Sequence, residues 1–198
     1  MLLRTLGVLC ILAALGLAAY YAWTFWGTGL TTSRAQKQLR AAITHRIEQP
    51  SRQRPAGVPA TTAAAVAFRS GDAVALIKIP RMKLDMVVVE GVDPEALKKG
   101  PGHYQGTAYP WEDRGRVAIA GHRTTYLHPF WSVNELRRGD LIRLETEFGR
   151  FDYRVTSSRV VLPSDTSVLQ QTTEPTLVLT ACTPRFSGSH RLVIFASR

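Results

Sequence analysis

From Thr5 to Ser33 the chain carries no charged side chain, and within that stretch Leu6–Trp26 is an almost unbroken apolar run of 21 residues. As a helix rising ~1.5 Å per residue, such a run spans ~30 Å, the hydrocarbon thickness of one bilayer. Tyr20, Tyr21, Trp23, Phe25 and Trp26 cluster at its C-terminal end, where an interfacial aromatic belt sits. A cleaved signal peptide has a shorter apolar core and a small-residue cleavage site. The run therefore predicts an uncleaved anchor over residues 1–30, with about 6–26 crossing the membrane; a buried core helix is the competing reading. The remainder of the chain must build its fold without this segment.

Charge divides that remainder in two. Residues 31–70 hold seven Lys or Arg against one Glu, whereas residues 71–198 hold 17 against 14. The first part is rich in Arg, Gln, Thr, Ala and Pro. Pro50, Pro55 and Pro59 interrupt any long helix there. It reads as a basic flexible linker that allows a short helix around Arg34–Ile47, and its charge suits an anionic membrane or wall polymer. Because the basic excess is not on the folded part, a nucleic-acid partner is not expected. Flanking charge alone, with Arg4 before the span and Arg34, Lys37 and Arg40 after it, places the folded part in the cytoplasm.

From Gly71 the texture changes to short β-rich runs separated by turns. Strands are predicted at Ala73–Ile79, Met86–Glu90, Arg116–Ala120, Leu141–Glu145, Arg150–Leu162, Thr176–Thr180 and Arg191–Ala196. Asp93 caps a short helix that has Pro94 in its first turn and stops at Gly100, and a helical turn is predicted within Pro129–Leu136. Many short strands with few helices predict an all-β, closed barrel over 71–198.

Cys10 lies in the apolar run and Cys182 near the C-terminus, so neither a disulfide framework nor a cysteine zinc site is expected. Scattered carboxylates give no metal-ligand spacing, and no metal or other cofactor is expected. Cys182, His122 and Arg191 each stand at the end of a predicted strand, where a sheet presents side chains rigidly. A thiolate nucleophile, an imidazole that moves its protons and a guanidinium that binds an oxyanion make an acyl-transfer set. By residue type alone the triple says little in a chain with five His and many Arg. His103 reads as structural, His128 and His45 as surface. His190 is expected to face away from Arg191, and Trp111, Phe130 and Trp131 to belong to core or rim.

The local sequences say more. Val-Ala-Ile-Ala-Gly-His-Arg-Thr-Thr-Tyr (117–126) resembles the histidine segment of sortases. Thr-Leu-Val-Leu-Thr-Ala-Cys-Thr-Pro (176–184) resembles their cysteine segment, and His190-Arg191-Leu192-Val193-Ile194 the strand bearing their arginine. The separations agree, 60 residues from His122 to Cys182 and nine from Cys182 to Arg191. The resemblance covers about 71–198 and is nearest to class E, through His-Arg-Thr-Thr-Tyr and the N-terminal anchor. Thr183 stands where class E members often have His or Asn, and Ala181 where many sortases have Thr. No Asp-Pro-aromatic tripeptide, the lid mark of pilus-polymerising sortases, precedes the domain.

The resemblance implies a sortase-type barrel and a cysteine transpeptidase. Cys182 would attack a C-terminal sorting signal of Leu-Ala-x-Thr-Gly or Leu-Pro-x-Thr-Gly type between Thr and Gly. Arg191 would hold the oxyanion, His122 would protonate the leaving amine, and a peptidoglycan-precursor amine would resolve the thioacyl enzyme. Tyr126, Thr124, Ala181 and Thr183 would line the substrate site. It also implies a catalytic domain outside the cell, against the flanking-charge rule. Alternatives are a hydrolytic cysteine peptidase using the same residues and a non-catalytic membrane-tethered β-barrel that binds peptides.

Overall fold

A computed structural model describes residues 2–23, 27–49 and 68–198. The apolar run forms helix α1, Leu2–Ala22, and from Leu3 onward its Leu, Val and Ile side chains are exposed all round. Leu3–Ala22 is long and apolar enough to cross a membrane. Tyr20, Tyr21 and Trp23 are exposed at its end, whereas Phe25 and Trp26 of the expected aromatic belt lie outside the described residues.

Eight strands follow: β1 (Ala73–Ile79), β2 (Leu84–Glu90), β3 (Gly102–His103), β4 (Arg116–Ala120), β5 (Leu141–Thr146), β6 (Gly149–Val161), β7 (Thr176–Thr183) and β8 (His190–Ser197). They close into a barrel in the order β1-β2-β3-β4-β7-β8-β6-β5, with β5 returning to β1. The pairs β2–β3 and β4–β7 are parallel and the rest antiparallel. The expected strands are present with ends moved by three residues at most; β3, two residues long, had no periodicity to reveal it.

Alternation along the strands sends one side chain in two to the barrel interior. Ile77, Ile79, Val88, Val117, Ile119, Ile142, Leu144, Tyr153, Leu177, Leu179 and Ile194 make that interior. On the outer face of β4, β7 and β8, Ala118, Val178 and Val193 are buried as well, with Val161 and Val168 in the same cluster. Covered on both faces, β1, β2, β4 and β7 read as continuous apolar runs rather than alternating ones. Helix α3, Pro94–Lys99, starts as expected: Asp93 Oδ1 accepts from the N–H groups of Glu95 and Ala96, both at 3.0 Å. One barrel end is plugged by Phe68, Tyr109, Trp111 and Phe148. Beside them His103 Nδ1 lies 3.0 Å from Glu90 Oε2, and its Nε2 donates to Ala108 O at 3.0 Å. His103 is thus structural.

The segment 31–70 departs from the expected linker. Its described part belongs to helix α2, Thr28–Glu48, which lies along the barrel instead of hanging free. The anchor–linker boundary at residue 31 therefore falls inside a helix, and residues 50–67 of the expected linker lie outside the described residues. Apolar residues at positions 39, 43 and 47 follow helical spacing. Ile43 is buried against Ala73, Leu76 and Val87, with Leu39 and Ile47 at the edge of that cluster. The Gln36 amide completes the contact: Nε2 donates to Val87 O (3.0 Å) and Lys99 O (2.8 Å), while Oε1 accepts from Val87 N at 2.7 Å. Arg40 pairs with Asp85 at 2.8 Å, and Arg46 donates to Ala73 O and to Glu147. The composition looked loose because only one stripe of this helix is apolar and two of its cations serve the barrel.

This packing gives α2 a measurable share of stability. Ile43→Ala should destabilise the protein by ~2–5 kcal/mol, the range for truncating a large buried aliphatic side chain. Chemical denaturation of the full chain in detergent checks it, and a change near zero would restore the free-linker picture.

Candidate active site

Register sets where the three residues of the predicted set stand. Strands β4 and β7 run parallel with Ala120 opposite Thr180, and Gly121 N donates to Thr180 O at 3.0 Å. Two residues beyond Ala120 stands His122; two residues beyond Thr180 stands Cys182. On the other side of β7, Cys182 is the direct cross-strand partner of Arg191 on β8. Parity then decides the face. Val117 and Ile119, Leu177, Leu179 and Ala181, and Leu192 and Ile194 point into the barrel core. Cys182 and Arg191 share the opposite parity and so belong to the outer face at one barrel end, and His122 lies just past the end of β4 at that same end. A Cβ on Gly121 would meet the Phe130 ring at 2.5 Å, so only glycine fits before His122.

Each side chain has a defined setting. Cys182 is a free, half-buried thiol. The His122 ring lies 4.8 Å from the Tyr126 ring at 38°. Burial pushes the His122 imidazole below its usual range, because the charged ring would lose hydration. Arg191 Nη1 donates to Gly188 O (3.0 Å) and His190 O (3.2 Å), which fastens the guanidinium to its own hairpin. Among the described residues, the Nε and Nη2 donors of Arg191 are not engaged.

This constellation on this barrel has known relatives, and the family model for the sortase domain matches residues 77–198. The chain belongs to the sortase family. It is 29% identical to Sortase D of Bacillus subtilis (strain 168) over 199 residues, 98% of both chains. It is 33% identical to Sortase SrtE1 of Streptomyces coelicolor over 143 residues, 65% of this chain and 41% of that one. Among solved structures, a Clostridium perfringens sortase D5 transpeptidase superposes with a TM-score of 0.62 at 30% identity, covering 79% of this chain and 98% of the other. Sortase E1 of Streptomyces coelicolor, with a tripeptide in its active site, gives 0.61 at 32% identity, covering 66% and 90%. The class E likeness thus stands beside an equal likeness to class D. Sortases are cysteine transpeptidases that anchor surface proteins to the cell wall, and this chain has that activity.

The residues expected to line the sortase substrate site divide. Tyr126 and Thr124 are half-buried on the segment after His122. Thr183 is at the end of β7, but its Oγ1 accepts a 2.9 Å hydrogen bond from Arg123. Ala181 corrects the expectation: it is buried in the barrel core with Leu179 and Leu192, because its parity is opposite to that of Cys182. Its side chain cannot meet a substrate on the outer face. His190 is exposed, as expected.

Arg123 was not singled out from the sequence. It follows His122 and is only 7% exposed. Its Nη1 donates to Cys182 O (3.2 Å) and Thr183 Oγ1 (2.9 Å), and its Nη2 to Asn134 Oδ1 (2.6 Å). Nε has no partner among the described residues. Burial, and then the nearby Arg185 cation, lower its pKa, while Cys182 acts in the other direction. The guanidinium thereby joins the histidine segment to the backbone of Cys182 and to the short helical turn Val133–Glu135. The only available sequence signal was its place directly after His122.

Two outcomes follow from this geometry. In an NMR titration the His122 ring should titrate with a midpoint below the reference value of about 6.5. Since the folded pKa is depressed, folding stability should rise with pH through that interval and fall as His122 is protonated; a midpoint at or above the reference would contradict the burial argument. Arg123→Ala should reduce kcat/KM for a sorting peptide by roughly 10–100-fold, as expected for ~1.5–3 kcal/mol from hydrogen bonds made by a charged donor. Arg123→Lys should recover part of it, and native kinetics in Arg123→Ala would show that the tie to Cys182 is dispensable.

Proposed function

We propose that Cys182, His122 and Arg191 carry the sortase reaction, on a Leu-Ala-x-Thr-Gly or Leu-Pro-x-Thr-Gly sorting signal. The observation that supports this most is the cross-strand pairing of Cys182 with Arg191, with His122 two residues past the end of the neighbouring parallel strand β4. The Cys182 thiolate attacks the Thr carbonyl. The Arg191 donors not engaged by its own hairpin receive the developing oxyanion. His122 protonates the departing Gly amine as the C–N bond breaks. A thioacyl enzyme and a free Gly-terminated peptide result. An amine of a peptidoglycan precursor then attacks the thioester, passing its proton to the site and releasing Cys182. The energy of the broken amide is retained in the thioester, so no nucleotide is consumed.

Burial that keeps His122 neutral bears on rate. The competent pair is thiolate with imidazolium, and a depressed His122 pKa makes imidazolium a minority at neutral pH. Slow turnover is the consequence. Tyr126, packed against the His122 ring, and Thr124 line the approach to the reacting carbonyl. Residues 3–22 span the membrane and the barrel stands on its outer side, where the surface proteins that a sortase anchors are joined to the wall.

Mass spectrometry of the full chain in detergent, mixed with a sorting peptide and an amine, tests the mechanism. A thioacyl adduct on Cys182 is expected, resolved by the amine to a ligated product. Cys182→Ala should give none, and His122→Ala should remove turnover. Arg191→Lys keeps the charge but loses the planar fork of donors and should lose roughly 10²–10³ in rate, the usual effect of one oxyanion donor. Near-native turnover in Arg191→Lys removes Arg191 from the mechanism. Hydrolysis unaffected by the amine makes the enzyme a peptidase instead.

A further inference from the structure

The first turn of α2 touches the segment that follows His122. Thr28 Oγ1 accepts from Tyr126 N at 3.4 Å, and Leu127 Cδ2 lies 3.3 Å from the position a Cβ on Gly29 would take. Only five residues lie between Ala22, the last residue of α1, and Thr28, so six steps of chain join the two. Whatever their conformation, they reach no further than about 22 Å at ~3.6 Å each. If α1 crosses the membrane, the His122 end of the barrel is therefore leashed within about 22 Å of the place where the chain leaves the bilayer.

That end is apolar and basic. Leu30 is 64% exposed, Leu127 39%, Trp131 38% and Phe186 68%. The rings are contiguous: His128 lies 5.6 Å from Trp131, and Trp131 6.1 Å from Phe186. Tyr126, Leu127 and His128 have φ of 53°, 61° and 38° in succession. Non-glycine residues rarely adopt this conformation, and it persists only where the surroundings fix it. It leaves Leu127 and His128 exposed. Arg185 lies 4.3 Å over the Trp131 ring. Residues 114–134 and 176–198 contain no Asp or Glu, and α2 has none before Glu48 while exposing Arg34 and Lys37. Glu95, on the helix whose Lys98 lies near Tyr126, is paired with that lysine at 2.5 Å.

We propose that the rim of loops around His122 and Cys182 is itself a membrane-contact surface, with Leu127, Trp131 and Phe186 inserted at the headgroup–acyl boundary of an anionic bilayer. Apolar tips flanked by cations are the pattern that binds such an interface. The proposal rests on α1 being the membrane anchor. It makes the anchor one of two attachments, so that the catalytic end faces the membrane rather than the wall.

Tryptophan quenching by acyl-chain-brominated lipid tests this on the full chain in nanodiscs of phosphatidylcholine with or without phosphatidylglycerol. The chain has four tryptophans, Trp23, Trp26, Trp111 and Trp131, and the difference between the native protein and Trp131→Phe isolates the signal of Trp131. That signal should be lost in brominated discs, more so with the anionic lipid, and Leu127→Glu with Phe186→Glu should restore it. Leu127→Trp in the Trp131→Phe background gives a second probe at the tip and should be quenched alike. Quenching of Trp23 and Trp26 with none at position 131 or 127 overturns the proposal while leaving the anchor in place. Quenching of none of these residues fails the anchor itself. Shielding of Trp131 by a soluble sorting peptide without lipid quenching assigns the rim to substrate and also overturns the proposal.

Discussion

The parallel pairing of β4 with β7 is the constraint on which the site depends. A parallel pair cannot be joined by a tight turn, so the 55 residues between Ala120 and Thr176 include β5, β6 and the loops that carry Tyr126 and Trp131. Once Ala120 is opposite Thr180, Cys182 is fixed two residues on along β7, and the chain leaves β4 for His122 at the same end of the barrel. The antiparallel partner β8 then fixes Arg191 opposite Cys182. A slip of one residue in the β7–β8 ladder would turn Cys182 or Arg191 into the barrel and a core aliphatic out of it. The buried aliphatics at 177, 179, 192 and 194 make such a slip costly, so the core holds the register that sets Arg191 opposite Cys182.

Supports from outside the barrel act on the same place. Arg123 ties the histidine segment to the carbonyl of Cys182 and to Asn134. Arg185, donating to Trp131 O and lying over its ring, holds the β7–β8 loop to the β4–β5 connection. Helix α2 runs from that end of the barrel, where Thr28 meets Tyr126, toward the other, where Arg46 reaches Ala73 O. The helix that follows the apolar helix is therefore part of the barrel's packing and touches the histidine loop directly.

Much of this was legible in the sequence, for identifiable reasons. The strands around Val117–Ala120, Leu177–Thr180 and Leu192–Ile194 declare themselves by β-branched and aliphatic runs. Asp93-Pro94 and Gly100 mark α3 by capping chemistry. The family was readable because the segments around Cys182, His122 and Arg191 resemble those of sortases. Other features left no local trace. The two-residue strand β3 is too short for any period. Helix α2 looked like linker, since Arg40, Arg46 and Gln36 become docking groups only opposite Asp85, Glu147 and Val87. Arg123 is a surface-type residue by composition, and its burial depends on partners 11 and 59 residues away.

The sequence by itself determined the apolar span, the β character of 71–198 and the residue types for acyl transfer, because these are properties of short windows and of their order. Tertiary structure alone decided which face each residue serves. Ala181 and Cys182 are neighbours in the chain, yet one fills the core and the other stands beside Arg191. That difference is set by the register of a closed barrel, a relation among strands distant in sequence that no single window contains.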